Sequence, residues 1–269
     1  MGAAAEAFAA EAAGRGPSAG RVFITGASSG IGAALAAVYA RRGAELGLLG
    51  RRQQALQALA QSLPGRHRVY AVDVRERAAL HAAAADFLAG GPVDVVIASA
   101  GISVGTLTEE PEDYSVFEAI IATNLNATVA TFEPFVAAMK ARGSGRLVGI
   151  ASVAAVRGLP GAGAYCASKA AVRNYCESLR VELHGSGVGV VTLAPGFIRT
   201  PMTAHNPYKM PFLMPAERFA ELAVRAIDRK VSYIVLPWQM AWVARLLRLV
   251  PDRLYDHYAA QRGRKPRQS

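Results

Sequence analysis

Seven short aliphatic runs recur along the chain without alternating with polar residues: RVFITG (21–26), AELGLLG (44–50), HRVYAVDV (67–74), VDVVIASAG (93–101), RLVGIAS (146–152), GVVTLAPG (189–196) and SYIVLP (232–237). A strand with one wet face alternates; a strand that does not is covered on both faces, as in a parallel sheet. Helix-length stretches separate the runs, at 31–42, 53–62, 76–89, 112–142, 162–184 and 215–228. This alternation predicts a doubly wound α/β fold, a parallel seven-stranded sheet with helices on both faces. Ligands of such sheets bind at the carboxyl ends of the strands. The chemistry is therefore expected just after residues 25, 50, 73, 99, 152 and 195.

The 269 residues suffice for one large domain, assigned to 21–237, with no internal repeat and no second-domain linker. Residues 1–20 read as a disordered Ala/Gly-rich leader, since they lack a basic n-region and carry Glu6 and Glu11. No apolar run reaches the roughly 18 residues of a spanning helix. Cys166 and Cys176 are ten positions apart on one expected helix, too far to bridge. Unpaired thiols without an export signal predict a cytoplasmic setting. The net charge of +10 invites a nucleic-acid reading. Its distribution argues against one: residues 238–269 hold seven Arg/Lys against two Asp, half of the excess, and no basic stripe with aromatics occurs elsewhere.

TGASSGIG (25–32) follows the first strand and opens the first helix. Gly26, Gly30 and Gly32 permit a sharp turn and let a pyrophosphate approach the helix N-terminus. The spacing is G-x-x-x-G-x-G. At the second strand end, where a carboxylate would bond adenosine ribose hydroxyls, the chain has Gly50-Arg51-Arg52. Guanidinium without carboxylate favours a 2′-phosphate, and hence NADP(H) over NAD(H). Arg52 reads equally as part of a solvated basic loop. Asp73, at the third strand end, can accept from an adenine amino group or cap the helix beginning near Glu76.

Ser152 ends the fifth strand, and Tyr165 and Lys169 lie one turn apart on the helix that follows. A phenol has an ordinary pKa near about 10, and a neighbouring ammonium favours the phenolate. Such a phenol can give a proton to a carbonyl oxygen as hydride reaches carbon, or remove one in reverse. The Ser152 hydroxyl can hold that oxygen.

TGASSGIG, Asp73, ASAG (98–101), Asn124 in TNLNAT, Ser152, YCASK (165–169) and PGFIRT (195–200), in this order and spacing, resemble the short-chain dehydrogenase/reductase family. The resemblance covers residues 21 to about 237 and implies a Rossmann-type sheet. It implies a catalytic tetrad of Asn124, Ser152, Tyr165 and Lys169, with Asn124 supporting a relay water through its main chain and Lys169 also holding the nicotinamide ribose. It further implies that Pro195 and Gly196 face the nicotinamide while Ile198 and Thr200 bond its carboxamide. Residue reading and resemblance together put the cofactor against Gly26, Ser28, Ser29, Gly30, Ile31, Gly32, Arg51, Arg52, Asp73, Val74, Ser99, Ala100, Gly101, Tyr165, Lys169, Pro195, Gly196, Ile198 and Thr200. Two departures stand out. Ala98-Ser99 replaces the family's frequent Asn-Asn, and Ser29 stands where NADP-preferring members often carry a cation.

The expected activity is that of an NADP(H)-dependent oxidoreductase on a carbonyl or secondary alcohol; the alternative is a non-catalytic dinucleotide-binding regulator or scaffold. Residues 197–215 are expected to form a lid whose Met202, Met210, Phe212, Leu213 and Met214 either make an apolar substrate wall or pack on the following helix. A bulky apolar small-molecule substrate fits the first option. His67, His81, His184, His205 and His257 show no ligand spacing, and no metal site is visible. A homodimer or homotetramer through helices 112–142 and 162–184 is what the resemblance implies. Residues 238–269 read as an amphipathic helix and basic tail. They bind an acidic membrane peripherally or a partner subunit, or fold over the substrate cleft.

Overall fold

The computed structural model describes residues 20–204, 206, 209–261 and 263–267; the leader through residue 19, His205 and Arg262 lie outside the described residues. The aliphatic runs form β1 (Arg21–Thr25), β2 (Glu45–Gly50), β3 (His67–Ala71), β4 (Val95–Ala98), β5 (Gly145–Ile150) and β6 (Val188–Pro195). After two short strands, β7 (Ile198–Arg199) and β8 (Met214–Pro215), comes β9 (Tyr233–Leu236). The main sheet has the order β3-β2-β1-β4-β5-β6-β9, and every pairing is parallel. Chain direction across the sheet reverses between β1 and β4, which opens a crevice above their carboxyl ends.

The helices are α1 (Gly30–Arg41), α2 (Gln53–Ser62), α3 (Arg77–Ala89), α4 (Asp113–Ile121), α5 (Ala127–Arg142), α6 (Gly163–Glu182), α7 (Ala216–Asp228), α8 (Trp238–Leu249) and α9 (Asp252–Ala260). They cover both faces of the sheet. Because successive strand residues point to opposite faces, Val22 and Ile24 of β1 join Leu35, Tyr39, Phe219 and Val224 in one core layer. Phe23 joins Phe87, Phe132, Phe135 and Met139 in the other. Phe23 is fully buried, with its ring centroid 5.1 Å from Phe135 and 5.7 Å from Phe87. Such a side chain contributes about 1.5–3 kcal/mol by burial.

At the amino rim of the sheet, Arg21 ties three elements together. Its Nε donates to Glu45 at 2.8 Å, a terminal nitrogen donates to the Gly91 carbonyl, and its guanidinium lies 4.2 Å from the Phe87 ring centroid. Its own backbone N–H donates to Asp94 at 3.0 Å.

The expected continuous helix 112–142 is interrupted. A π-helical turn, Ala122–Asn126, lies between α4 and α5. Within α5, Pro134 has no N–H to offer the carbonyl of Ala130. The ring nitrogen Nε2 of the half-buried His81 lies 3.1 Å from that oxygen instead, and 3.1 Å from Glu133.

The C-terminal region also departs from expectation. Residues 252–260 form a second helix, α9, rather than part of a tail; Pro251 precedes it, with Asp252 in its first turn. The following segment, 263–267, folds back on the domain, with Arg267 in an isolated bridge to Gly105.

Candidate active site

β1 ends at Thr25, and Gly26 turns the chain at φ +68°, a conformation that favours glycine. A Cβ at Gly26 would stand 2.6 Å from the Ala100 backbone, so the loop passes against the end of β4 as closely as a peptide can. Gly32 gives the same closeness between α1 and the loop; a Cβ there would lie 2.3 Å from the Gly26 carbonyl oxygen. Ser29 occupies the N-cap of α1, yet its side chain makes no capping hydrogen bond. The first-turn N–H groups remain donors for an anion above the loop.

At the end of β2, Arg52 reaches back onto this loop. Its guanidinium donates to Ser29 Oγ at 2.7 Å and to Ser28 Oγ at 3.1 Å. Arg52 thus lies against the glycine loop beside position 29, tied to it by hydrogen bonds while its side chain stays exposed. Arg51, beside it, makes no hydrogen bond or ion pair among the described residues and lines the same cleft. Asp73 does not cap α3, whose N-cap is Glu76. Its carboxylate instead accepts from the Arg75 backbone at 3.0 Å and from the Arg75 guanidinium at 2.7 Å. Hydrogen bonding to Arg75, first of all, holds it below the usual carboxylate range.

Ser152 follows β5 and is buried; its Oγ accepts from the Ala154 N–H at 3.1 Å, which leaves the hydroxyl hydrogen to be donated elsewhere. Tyr165 and Lys169 project from the first turns of α6. Lys169 is 5% exposed, donates to the Ile150 carbonyl at 2.8 Å, and places Nζ 5.9 Å from the Tyr165 ring centroid. Burial pushes its ammonium down to about 8. Asn124 lies in the π turn and is fully buried. Its amide accepts from the Ile102 N–H at 2.8 Å and donates to the Ile102 carbonyl at 3.0 Å and to Ser168 Oγ at 2.9 Å. Its main-chain carbonyl accepts from Thr128 Oγ1 at 2.8 Å.

These elements enclose a cleft of about 420 Å³ at the carboxyl ends of the strands. Every expected cofactor contact from Gly26 to Thr200 lines it, together with Ser152; Asn124 sits behind the wall. Ile102, Thr123, Ala151, Pro201 and Thr203 also line it and carry no motif by which sequence could single them out as a set. Of the expected lid residues, Met202 lines the cleft, Met214 packs on the core, and Phe212 is half exposed. Met214 thus follows the packing alternative, while Met202 is placed where the apolar-wall alternative would need it. Among the described residues no cluster could hold a metal ion, and no helix is long and apolar enough to cross a membrane.

The family model for short chain dehydrogenases matches residues 21–210. The chain belongs to this family. An uncharacterized oxidoreductase of Myxococcus xanthus is 40% identical over 238 residues, covering 87% of this chain and 93% of the relative. A short-chain dehydrogenase from Sphingobium yanoikuyae in complex with NADPH superposes with a TM-score of 0.74 at 26% identity, covering 87% of this chain and 97% of that one. A 3-oxoacyl acyl-carrier-protein reductase from Brucella melitensis with bound NAD gives 0.73 at 26% identity, covering 82% and 91%. As a short-chain dehydrogenase the protein is an oxidoreductase of a family that uses a nicotinamide cofactor. The residues present fit such a group: the glycine cradle, the uncapped N-terminus of α1 and the paired arginines suit a dinucleotide.

Proposed function

We propose that the protein is an NADP(H)-dependent carbonyl reductase or alcohol dehydrogenase for a bulky, largely apolar substrate. The observation carrying this reading is the polarity of one cleft: Ser152, Tyr165 and Lys169 line one end, and the glycine loop with Arg51 and Arg52 lines the other. The bound nicotinamide supplies or accepts the hydride. Ser152 donates its hydroxyl hydrogen to the substrate oxygen and orients it. Tyr165 gives that oxygen a proton, or takes one in the oxidative direction. The buried Lys169 ammonium stabilises the developing phenolate and, through its bond to Ile150, is held in position. Asn124 fixes the Ile102 segment of the wall and the Ser168 side of α6. Arg51 is the group for the 2′-phosphate, with Arg52 bracing the loop.

Met202 at the cleft and exposed Phe212 on the same loop support an apolar substrate body. Exposed Tyr114 and Phe117 on α4 and Val181 on α6 support a homo-oligomer through these helices. Two buried free thiols suit a reducing cytoplasm. For membrane contact, the exposed stripe Trp238, Trp242, Leu246 and Leu249 of α8 is the favourable feature. Two of the tail charges that would strengthen it are engaged in ion pairs: Arg264 lies 3.7 Å from Glu109 and Arg267 lies 2.8 Å from Asp113.

The deciding experiment follows NADPH oxidation over ketones graded in size and polarity. Turnover of one class is expected. Tight NADPH binding with no turnover of any carbonyl, in either direction, would favour a regulator or scaffold instead.

A further inference from the structure

The segment after α9 is seated on two loops that leave the cleft. Gly105 N–H donates to the Pro266 carbonyl at 2.8 Å, and Lys265 N–H reaches the Pro160 carbonyl at 3.4 Å. A Cβ on Gly105 would stand 2.2 Å from the Lys265 carbonyl oxygen, and one on Gly161 would stand 3.0 Å from the Lys265 nitrogen. Both loops therefore have glycine where this segment passes. Its anchor is Arg267, whose guanidinium meets Asp113 at 2.8 Å, Glu110 at 3.3 Å and Glu112 at 3.4 Å. Upstream, Arg157 clamps the α8–α9 corner, donating to the carbonyls of Leu247 and Val250 and to Asp252 at 2.9 Å.

Between the paired Arg264 and Arg267 stands Lys265. Its Nζ lies 5.7 Å from the Tyr165 ring centroid, close to the 5.9 Å of Lys169. It makes no ion pair among the described residues, and half-burial lowers its affinity for a proton. Its neighbours here are Cys166, buried with Ala154 and Ala162, and the Tyr165 ring. The Tyr165 ring gives the ammonium a cation–π contact, but among the described residues no carboxylate pairs with it. The cleft's Asp73 belongs to the adenosine-facing end and is paired with Arg75. A partly desolvated cation without a counter-ion is costly unless a ligand supplies the charge.

We propose that Lys265 is a specificity-determining residue that binds an anionic group, a carboxylate, of the carbonyl substrate held at Tyr165. This rests on the reading of Tyr165 as proton donor and deepens it. The substrate is an oxo-carboxylate, with an apolar body against Met202 and its anion beside Lys265. Nothing but the side chain's charge and reach is required, and the tail that carries it would border the site at Tyr165, beyond the residues that line the cleft itself.

The test uses the full chain with NADPH and straight-chain oxo-carboxylates, each paired with its methyl ester. Wild type should favour the acid over the ester in kcat/KM by about 10-fold or more, the worth of one charge-assisted bond. Lys265→Met should reduce this acid-to-ester ratio by about 10- to 100-fold, mainly through KM for the acid. Gly105→Val, which leaves Lys265 intact but denies the tail its seat, should reduce the same ratio. An unchanged ratio in both variants, or an equal loss on acid and ester with a shifted pH profile, overturns the proposal; the latter would assign Lys265 to the titration of Tyr165. Calorimetry of a saturated, unreactive carboxylate binding to the NADPH complex separates the two readings. Carboxylate binding lost in Lys265→Met, with no carbonyl reduced by wild type, would support the anion site and sink the proton-donor reading. Carbonyl reduction without carboxylate binding would do the reverse.

Discussion

The Lys169 ammonium donates to the carbonyl oxygen of Ile150 at 2.8 Å, so the helix bearing Tyr165 is bolted to the last residue of β5, two positions before Ser152. The three side chains of the reacting end are thereby set by one rigid joint between α6 and β5 rather than by loop contacts. Moving either element moves all three.

Tyr165→Phe keeps the ring and removes the transferable proton. Turnover should fall by about 100-fold or more, while NADPH affinity measured by fluorescence titration stays nearly unchanged. Activity within a few-fold of wild type would remove Tyr165 from the proton-donor role.

Arg51→Ala should weaken NADPH by roughly 1.5–3 kcal/mol and NADH far less, because among the described residues Arg51 makes no hydrogen bond or ion pair and its guanidinium lines the cleft. Arg52→Ala also releases Ser28 and Ser29 from the guanidinium that holds them at 3.1 and 2.7 Å, so both affinities should fall. Titration of each variant with both cofactors separates these effects. Equal losses for NADH and NADPH in Arg51→Ala would defeat its assignment.

Asn124→Ala removes an amide that satisfies the Ile102 N–H, the Ile102 carbonyl and Ser168 in a fully buried place. A loss of about 2–4 kcal/mol in urea unfolding is expected, because buried partners are left unsatisfied. Cleft-wall displacement should lower activity in parallel. A variant as stable as wild type would mean that water takes over all three bonds.

The pH dependence of stability follows from Lys169, whose pKa burial lowers from 10.5 to about 8. Below about 8 both folded and unfolded chains carry the ammonium, and the folded state bears the full desolvation cost. Between about 8 and 10.5 the unfolded chain binds more protons, so stability rises with pH in that window. Tyr39 and Tyr70, raised by burial, act oppositely above about pH 10, where their unfolded phenols ionise. The comparison is therefore wild type against Lys169→Met between pH 7 and 9.5. Wild type should gain on the variant by roughly 1–2 kcal/mol across this interval. Parallel curves would show that Lys169 keeps an ordinary proton affinity.

The doubly wound sheet was legible because its signals are local: an unalternated run such as VDVVIASAG declares a doubly covered strand, and TGASSGIG marks the strand-to-helix turn after it. The helix 112–142 reads as one piece because its periodicity carries no trace of the extra residue that makes the π turn around Asn124. Tyr165 and Lys169 sit four apart and can be paired by counting, whereas Arg52 crosses to Ser29 over 23 positions and Arg267 reaches Asp113 over 154. Charge counts cannot tell a solvated arginine from one folded back onto an acidic loop. The basic tail therefore reads as an electrostatic surface in sequence, while in space most of its described cations are engaged.

The Arg21 knot lies about 15 Å from the glycine turn, the length of β1. It joins Glu45, Gly91 and Phe87 at the rim opposite the cleft. The ties of Arg21 and the lining of the cleft thus lie at opposite ends of the same strands, so Arg21 can be altered without touching a residue that lines the cleft.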